Sequence, residues 1–559
     1  MTTHMRFKNG INGRLWWTTL AALLVVLPYL WRGTSNGDDM TFHVNTWIEV
    51  VCQWKAGILY PHWAAFANYG SGEPRFIFYP PISWMSGALL GLVLPWSAVP
   101  GTLGVLVCIA AGISMYLFAR EWMDDSTAAL AAALYAVNPY ELVLIYQRAA
   151  FAELVASIWL PGILLFALRG RGTFWRNTLG LALFIAAIWL TNLPSAVIAS
   201  YLLAFVVILR ALHLRRMEPL LRATTAMVLG LGLVAFYLYP AVYEQRWVQI
   251  SQAVGPGARA QDNFLFARDG DIPHDKSLLR LSIFASIEFF TAALFAWWAR
   301  TLRQRSAMLY RILLAVLALS MFLMFPISNL AWNYAPKLMF VQFPWRWLLA
   351  FNVVFMFLAA VVFGGSRRRM WIGVAVIPLL ITAMNWKFQQ PIYPEDRPVA
   401  LAEAIQDGTG YEGTDEYAPA HADKENLEPN APRIAVQIST DSDEQRKVAP
   451  DSFAHSATQI WEAEKKRLTV DSQLPTRDTI RLLDYPAWKV TVDGETVQPE
   501  FDDTTGRMAL ELPAGHHEVA IDYVRTRDHV WGLVISAIAI IAAIAVFILG
   551  RSAPNEQSA

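Results

Sequence analysis

The feature that most constrains this chain is a succession of apolar segments, each near the length that crosses a bilayer. They lie at about 15–31, 81–96, 99–119, 127–145, 152–168, 177–191, 194–210, 220–240, 280–299, 308–325, 346–364, 370–388 and 530–549. Hydrocarbon offers the backbone no water, so such segments become helices. The whole chain is 55% hydrophobic and only 16% charged, too apolar for a soluble globular protein. Its net charge of +0 gives no electrostatic case for a nucleic-acid partner. The predicted fold class is mainly α: a polytopic transmembrane helical bundle of about 12–13 spans.

Loop charge predicts the orientation. Arg169, Arg171 and Arg176 mark one short basic loop, and Arg210, Arg215, Arg216 and Arg222 a second. Residues 300–311 and Arg367-Arg368-Arg369 complete the set. Basic loops stay in the cytoplasm. The long loops 32–80, 241–279, 326–345 and 389–529 then face outward. The N-terminus, with Arg6, Lys8 and Arg14, is read as cytoplasmic ahead of an uncleaved first span. One conflict arises: five candidate spans before Arg169 cannot connect an inside N-terminus to an inside Arg169. One segment must fail to cross, and the run bounded by Pro80, Pro81 and Pro95 is the first suspect.

The chain divides into a membrane domain over 1–388, a polar outer domain over 389–529, and a last span with its tail over 530–559. In the outer domain Lys489-Val490-Thr491-Val492 alternates, and Asp493-Gly494 is a hairpin signal. Residues 508–512 and 518–523 also read as strands around Pro513-Ala514-Gly515. A small β-sandwich is expected.

Chemistry concentrates in the first outer loop. Asp38 and Asp39 follow the first span directly, where charge is costly unless solvated, paired or used. If a helix follows, Asp39, His43 and Trp47 share one face. A carboxylate at an apolar boundary suits a general base, with Asp39 narrowly ahead of Asp38. Alternatively, both simply cap the helix that begins near Met40. His43 orients a carboxylate or contacts substrate, or is a loop histidine with a hydrogen bond of its own. Asp39 and His43 have the spacing of two metal ligands but no visible third, so no cofactor is expected, with a divalent metal as the alternative. Cys52 and Cys108 are too few and too separate for a disulfide framework.

An ordered set of motifs follows: Tyr60-Pro61-His62-Trp63, Asn68-Tyr69-Gly70-Ser71-Gly72-Glu73-Pro74, Phe78-Tyr79-Pro80-Pro81, Tyr146-Gln147-Arg148-Ala149-Ala150-Phe151-Ala152-Glu153, Gln342-Phe343-Pro344-Trp345-Arg346-Trp347, Tyr411-Glu412-Gly413-Thr414-Asp415-Glu416-Tyr417-Ala418-Pro419, and Asp484-Tyr485-Pro486-Ala487-Trp488-Lys489-Val490-Thr491-Val492-Asp493-Gly494. Together they resemble the GT-C superfamily of polytopic glycosyltransferases. More narrowly, they resemble bacterial YfhO-type proteins and a neighbouring membrane family labelled pyruvoyl-tetrahydropterin synthase-related. The scattered histidines, with His516-His517 on a turn, form no zinc cluster of the kind a pterin synthase needs.

The GT-C resemblance implies a polyprenyl-phosphate-linked sugar donor and a cell-envelope acceptor: a glycan, lipid or polymer. It implies transfer on the outer face, inversion at the anomeric carbon, and a first-loop carboxylate as base. Arg148, Arg346 and Arg75 are then candidates for the donor phosphate, because a guanidinium matches phosphate bidentately. Each has a plainer alternative: an Arg148–Glu153 or Arg148–Glu141 ion pair, an interfacial anchor at Arg346, a solvated loop charge at Arg75. Trp47, Trp54 and Trp63 could stack on sugar rings or anchor at the interface. Loop 241–279 is long enough to be a lid or a connector. A transporter of lipid-linked substrates and a non-catalytic envelope assembly factor are the competing functions.

Overall fold

The computed structural model describes residues 15–438 and 454–552. The basic N-terminus with Arg6, Lys8 and Arg14, and the tail after 552, lie outside the described residues. Among those described, eight helices are long and apolar enough to cross a membrane. Two bent pairs qualify as joint spans: Glu218–Leu233 with Ala235–Trp247 at 77°, and Ala307–Leu323 with Pro326–Tyr334 at 92°. Two shorter apolar helices, Trp16–Val26 and Phe174–Trp189, complete the bundle. The chain is a multi-pass membrane protein, and five of the thirteen expected apolar segments fall short of a single straight crossing helix.

The basic loops gather at one end. Glu121 pairs with Arg169 at 3.4 Å and with Arg171 at 2.9 Å. Arg210 and Arg222 both donate to the Arg169 carbonyl, and Gly550, near the end of the last span, packs on Arg176. The loop 120–126 is therefore at the arginine-rich end. The first span runs antiparallel to Val99–Ala119: Thr18 lies against Gly112, and Tyr29 against Gly101.

The suspect segment does not cross. Pro81–Gly91 has 11 residues, opens on a proline at its first turn, and is followed by Pro95. It lies along Met40–Lys55, so tightly that a Cβ on Gly87 would fall 2.1 Å from the Trp47 ring. The Ile82 amide donates to the Leu190 carbonyl at 2.8 Å, which fixes its start at the first-loop end of the bundle. Val99–Ala119 then runs to the arginine-rich end alone. Dropping this segment removes the parity conflict.

Nine strands form two sheets among the described residues. One has the order Ile434–Ile438, Thr476–Leu483, Arg507–Leu512, Glu500–Phe501; the other Ala454–Trp461, Lys465–Ser472, Gly515–Tyr523, Trp488–Val492, Glu495–Val497. Asp493 and Gly494, at φ 52° and 85°, make the expected tight hairpin. The turn at 513–515 is not a hairpin; it carries the chain from one sheet to the other. Leu468, Val470, Ile480, Leu482, Met508 and Ile521 are buried in one core. Trp63 of the first loop joins that core, with ring centroids 5.7 Å from Tyr485 and 5.3 Å from Trp488. Burying an indole contributes at most about 4–6 kcal/mol, so Trp63 is an anchor between bundle and β-domain.

Candidate functional site

The site is built where the span Asp125–Arg148 ends. Its last turn, Leu144–Arg148, is a π-helix, and Ala149 follows in the left-handed region at φ 51°. The wider turn and the reversal after it break the helix without proline and swing Arg148 out of the helical register; such turns recur at functional sites. Phe151–Ala156 then begins with Glu153 in its first turn. The first loop clamps onto this break. Asp39 donates its amide to the Arg148 carbonyl at 2.8 Å. Gly37, at φ +62°, sits so close that a Cβ would lie 2.6 Å from the Arg148 carbonyl carbon and from Ala149. Gly37→Ala is therefore expected to loosen the clamp by about 1–2 kcal/mol. Amide hydrogen exchange across 36–40 and 146–150 should rise about tenfold, with the sandwich core unaffected.

Five charged side chains predicted from sequence meet here. Arg148 reaches Asp39 through Nη2 at 3.2 Å, Asp38 through Nε at 3.9 Å and Glu153 through Nη1 at 2.9 Å. Arg346 approaches the same Glu153 oxygen at 3.2 Å. That contact is an ion pair without hydrogen-bond alignment, since the Arg346 Nε has no hydrogen-bond acceptor. Its Nη1 donates to the Val341 carbonyl at 2.8 Å and to Gln342 at 2.9 Å. Tyr140 donates to the other Glu153 oxygen at 2.5 Å. The aromatic floor is Phe343 stacked on Trp345, with ring centroids 5.0 Å apart. Arg148 lies over Trp345 and Arg346 over Phe343.

The cluster is graded from inside to outside. Glu153 is 2% exposed and Arg148 6%, whereas Asp39 is 38% and Asp38 63% exposed. Two guanidiniums share one oxygen of Glu153, and Asp39 and Asp38 supply Arg148 with two further carboxylates. Burial pushes the Asp38 carboxyl up; Arg148 opposes this, and the neighbouring Asp39 charge adds to it. With so much of Asp38 open to solvent, water limits the shift. Neither aspartate caps the following helix: Asp39 occupies the cap position without a side-chain cap bond, because its carboxylate is turned to Arg148. Ile272–Trp298, which begins inside the loop 241–279, also reaches the site, with Ser277 accepting from Gln147 at 2.7 Å. Two cavities open at the arginine-rich end, one between Trp17, Leu130 and Trp371, the other between Phe166, Arg169 and Asn177.

The remaining predicted residues lie elsewhere. His43 and Trp47 do share a face, with rings 5.8 Å apart. His43 packs among Phe42, Tyr79 and Phe151, and burial lowers its pKa to about 4, so it is neutral at pH 7. Trp47 is fully buried against Gly87 and Phe151, with no face open to a sugar ring. Arg75 is 1% exposed and enclosed by its own partners, not loop solvent. Its Nε donates to Glu73 at 2.7 Å and its Nη1 to Thr46 at 2.9 Å. Thr414 donates to Glu73 from both amide and hydroxyl at 2.9 Å. Tyr411 donates to the buried Glu49 at 2.5 Å, whose carboxyl is pushed up to about 7 by burial, against the pull of Tyr411 and Arg75. This second cluster ties the first loop to 411–414.

Sequence reasoning did not single out Tyr140 or Glu49, and it met Gln342 only as the first residue of the motif around Arg346. Tyr140 had a signal in Asn138-Pro139, where Asn138 caps a new helix and accepts from the Glu141 amide, marking a break in an apolar run.

No protein-family model and no curated protein matches the chain. Among solved structures, it is similar to an oligosaccharyltransferase of Archaeoglobus fulgidus in complex with zinc and sulfate. The identity is 18% and the TM-score 0.39, over 72% of this chain and 53% of that one. It is also similar to the archaeal oligosaccharyltransferase AglB of the same organism in complex with an inhibitory peptide and a dolichol-phosphate. There the identity is 16% and the TM-score 0.43, over 68% of this chain and 56% of that one. The chain thus spans little more than half the length of these proteins, and no residue's role is carried across from them.

Proposed function

We propose that the protein is a GT-C-type membrane glycosyltransferase that moves a sugar from a polyprenyl-phosphate donor to a hydroxyl of a cell-envelope acceptor. The observation that carries this reading is the meeting of Asp38 and Asp39, both reached by solvent, with the buried guanidiniums of Arg148 and Arg346 at the first-loop end of the bundle. That end is taken as extracytoplasmic in a bacterial plasma membrane, because the arginine-rich loops gather at the other.

In the reaction, the acceptor oxygen attacks the anomeric carbon while Asp38 takes its proton. The bond between that carbon and the phosphate oxygen breaks, and the electron pair leaves with polyprenyl phosphate. Arg148 and Arg346 meet the charge that grows on the departing phosphate. A single displacement inverts the anomeric centre. Asp39 holds Arg148 in place. This exchanges the narrow preference for Asp39: its carboxylate is engaged by Arg148, whereas Asp38 is the freer of the two. His43, Trp47 and Arg75 are support, not binding groups.

One observation favours a non-catalytic assembly role: Arg148 is already neutralised by Asp39 and Glu153. The two readings separate when the protein, in nanodiscs, is incubated with a panel of polyprenyl-phosphate sugars and membrane extract as acceptor. Release of polyprenyl phosphate that depends on the sugar and stops in Asp38→Asn supports transfer. Wild-type release in Asp38→Asn and Asp39→Asn variants of normal expression sinks it.

A further inference from the structure

A second group of ionisable side chains lies where the bundle meets the β-domain, apart from the cluster around Arg148. Glu244 stands at the end of the bent pair, in the turn Glu244–Trp247. Asp528 and His529 open the last span, Arg527–Ser552. All three are buried, and one ligand atom from each lies within 4.8 Å of the others. His529 Nε2 is 2.9 Å from one Glu244 oxygen and 3.8 Å from an Asp528 oxygen.

Asp528 makes the group unusual. It is 3% exposed, yet neither carboxylate oxygen accepts a hydrogen bond. Its neighbour Glu244 is also a carboxylate and cannot donate to it unless one of them is protonated. Glu244, by contrast, is held from outside: Tyr485 donates to one oxygen and Thr526, at 3.3 Å, to the other. A buried carboxylate without a donor is stable only with a proton or a cation beside it.

We infer that Glu244, Asp528 and His529 form a binding site for a divalent first-row cation such as Zn2+. The donor set of two carboxylates and one imidazole suits that class. Ligand distances of about 2.0–2.2 Å place tetrahedral ligand atoms roughly 3.3 Å apart, so closure needs only small side-chain shifts. Binding displaces the proton between His529 and Glu244 and supplies the missing partner of Asp528. Tyr485 and Thr526 orient Glu244 as outer partners do at metal sites. The cation would tie together the bent span, the last span and, through Tyr485, the β-domain.

The test uses full-length protein carrying a histidine-free affinity tag, stripped with chelator and titrated with Zn2+ against a chromophoric competitor. One tightly held Zn2+ per chain is expected, weakened at least tenfold by Asp528→Asn and by His529→Gln. Asp38→Asn should leave it unchanged, which separates this site from the proposed transfer centre. X-ray absorption of the Zn2+-loaded wild type should show oxygen and nitrogen ligands with a single imidazole. Failure to take up one equivalent, or uptake unmoved by both variants, would overturn the assignment and leave a shared proton as the partner of Asp528. If the variants do not accumulate, a wild-type spectrum without imidazole overturns it equally.

Discussion

Asp38→Asn is expected to slow sugar transfer by about 10²–10⁴-fold, the range that a positioned general base contributes. Amide and carboxylate have nearly the same shape, and the side chain is mostly exposed, so the fold should be unaffected. Donor affinity should change little, because Asp38 lies 3.9 Å from Arg148 and is the weakest of its three ion pairs. Asp39→Asn should behave differently. Its amide oxygen can still accept from Arg148 Nη2, so the loss should be nearer tenfold and should appear in donor affinity as Arg148 loses a restraint. Steady-state kinetics with a polyprenyl-phosphate sugar separate the two: kcat falls in Asp38→Asn, KM for donor rises in Asp39→Asn. That split would mark the pair as base and positioning group. Equal losses in kcat for both variants would reassign the proton to the pair as a unit.

Much of this arrangement is legible in sequence because the membrane makes charge costly. Asp38, Asp39, Arg148, Glu153 and Arg346 each interrupt or border an apolar run, and a charge at such a place has to find a partner. That they find one another is a long-range fact; Asp39 and Arg148 are 109 residues apart, and no local pattern encodes the pairing. The break that delivers Arg148 is also hidden. A π-turn and a left-handed alanine carry no proline or glycine to announce them, whereas prolines bound the segment 81–96, whose helix is only 11 residues long. Helical periodicity misleads at Asp39. Its spacing to His43 and Trp47 places all three on one helix face, but Asp39 sits at φ −107°, before the helix proper, and turns away to Arg148. Arg75 misleads for another reason. A loop arginine after Gly-Glu-Pro reads as solvated, and only the return of the chain at Tyr411 and Thr414 buries it.

That return makes Arg75 consequential for stability. Arg75→Met should cost about 3–5 kcal/mol, because it leaves Glu73 buried and unpaired. Both side chains are essentially unexposed, so water cannot take over the lost interaction. Glu73 would still accept from Thr414 and Asn68, which keeps the cost from rising further, and Arg75 would also leave the rings of Phe42 and Tyr411, 4.6 and 5.1 Å from its guanidinium. The expected sign of failure is local. The first loop should detach from 411–414, with hydrogen exchange rising across 66–76 and 409–415 before the spans themselves melt. Combining Arg75→Met with Glu73→Gln removes the uncompensated charge and should recover most of the loss, since replacing both partners costs far less than stranding one. A substrate-binding Arg75 makes the opposite pattern: the single variant would melt normally and bind donor poorly, and Glu73→Gln would restore nothing. Thermal melting of the two variants beside the wild type, with donor affinity measured on the folded fraction, decides between a lock and a ligand contact.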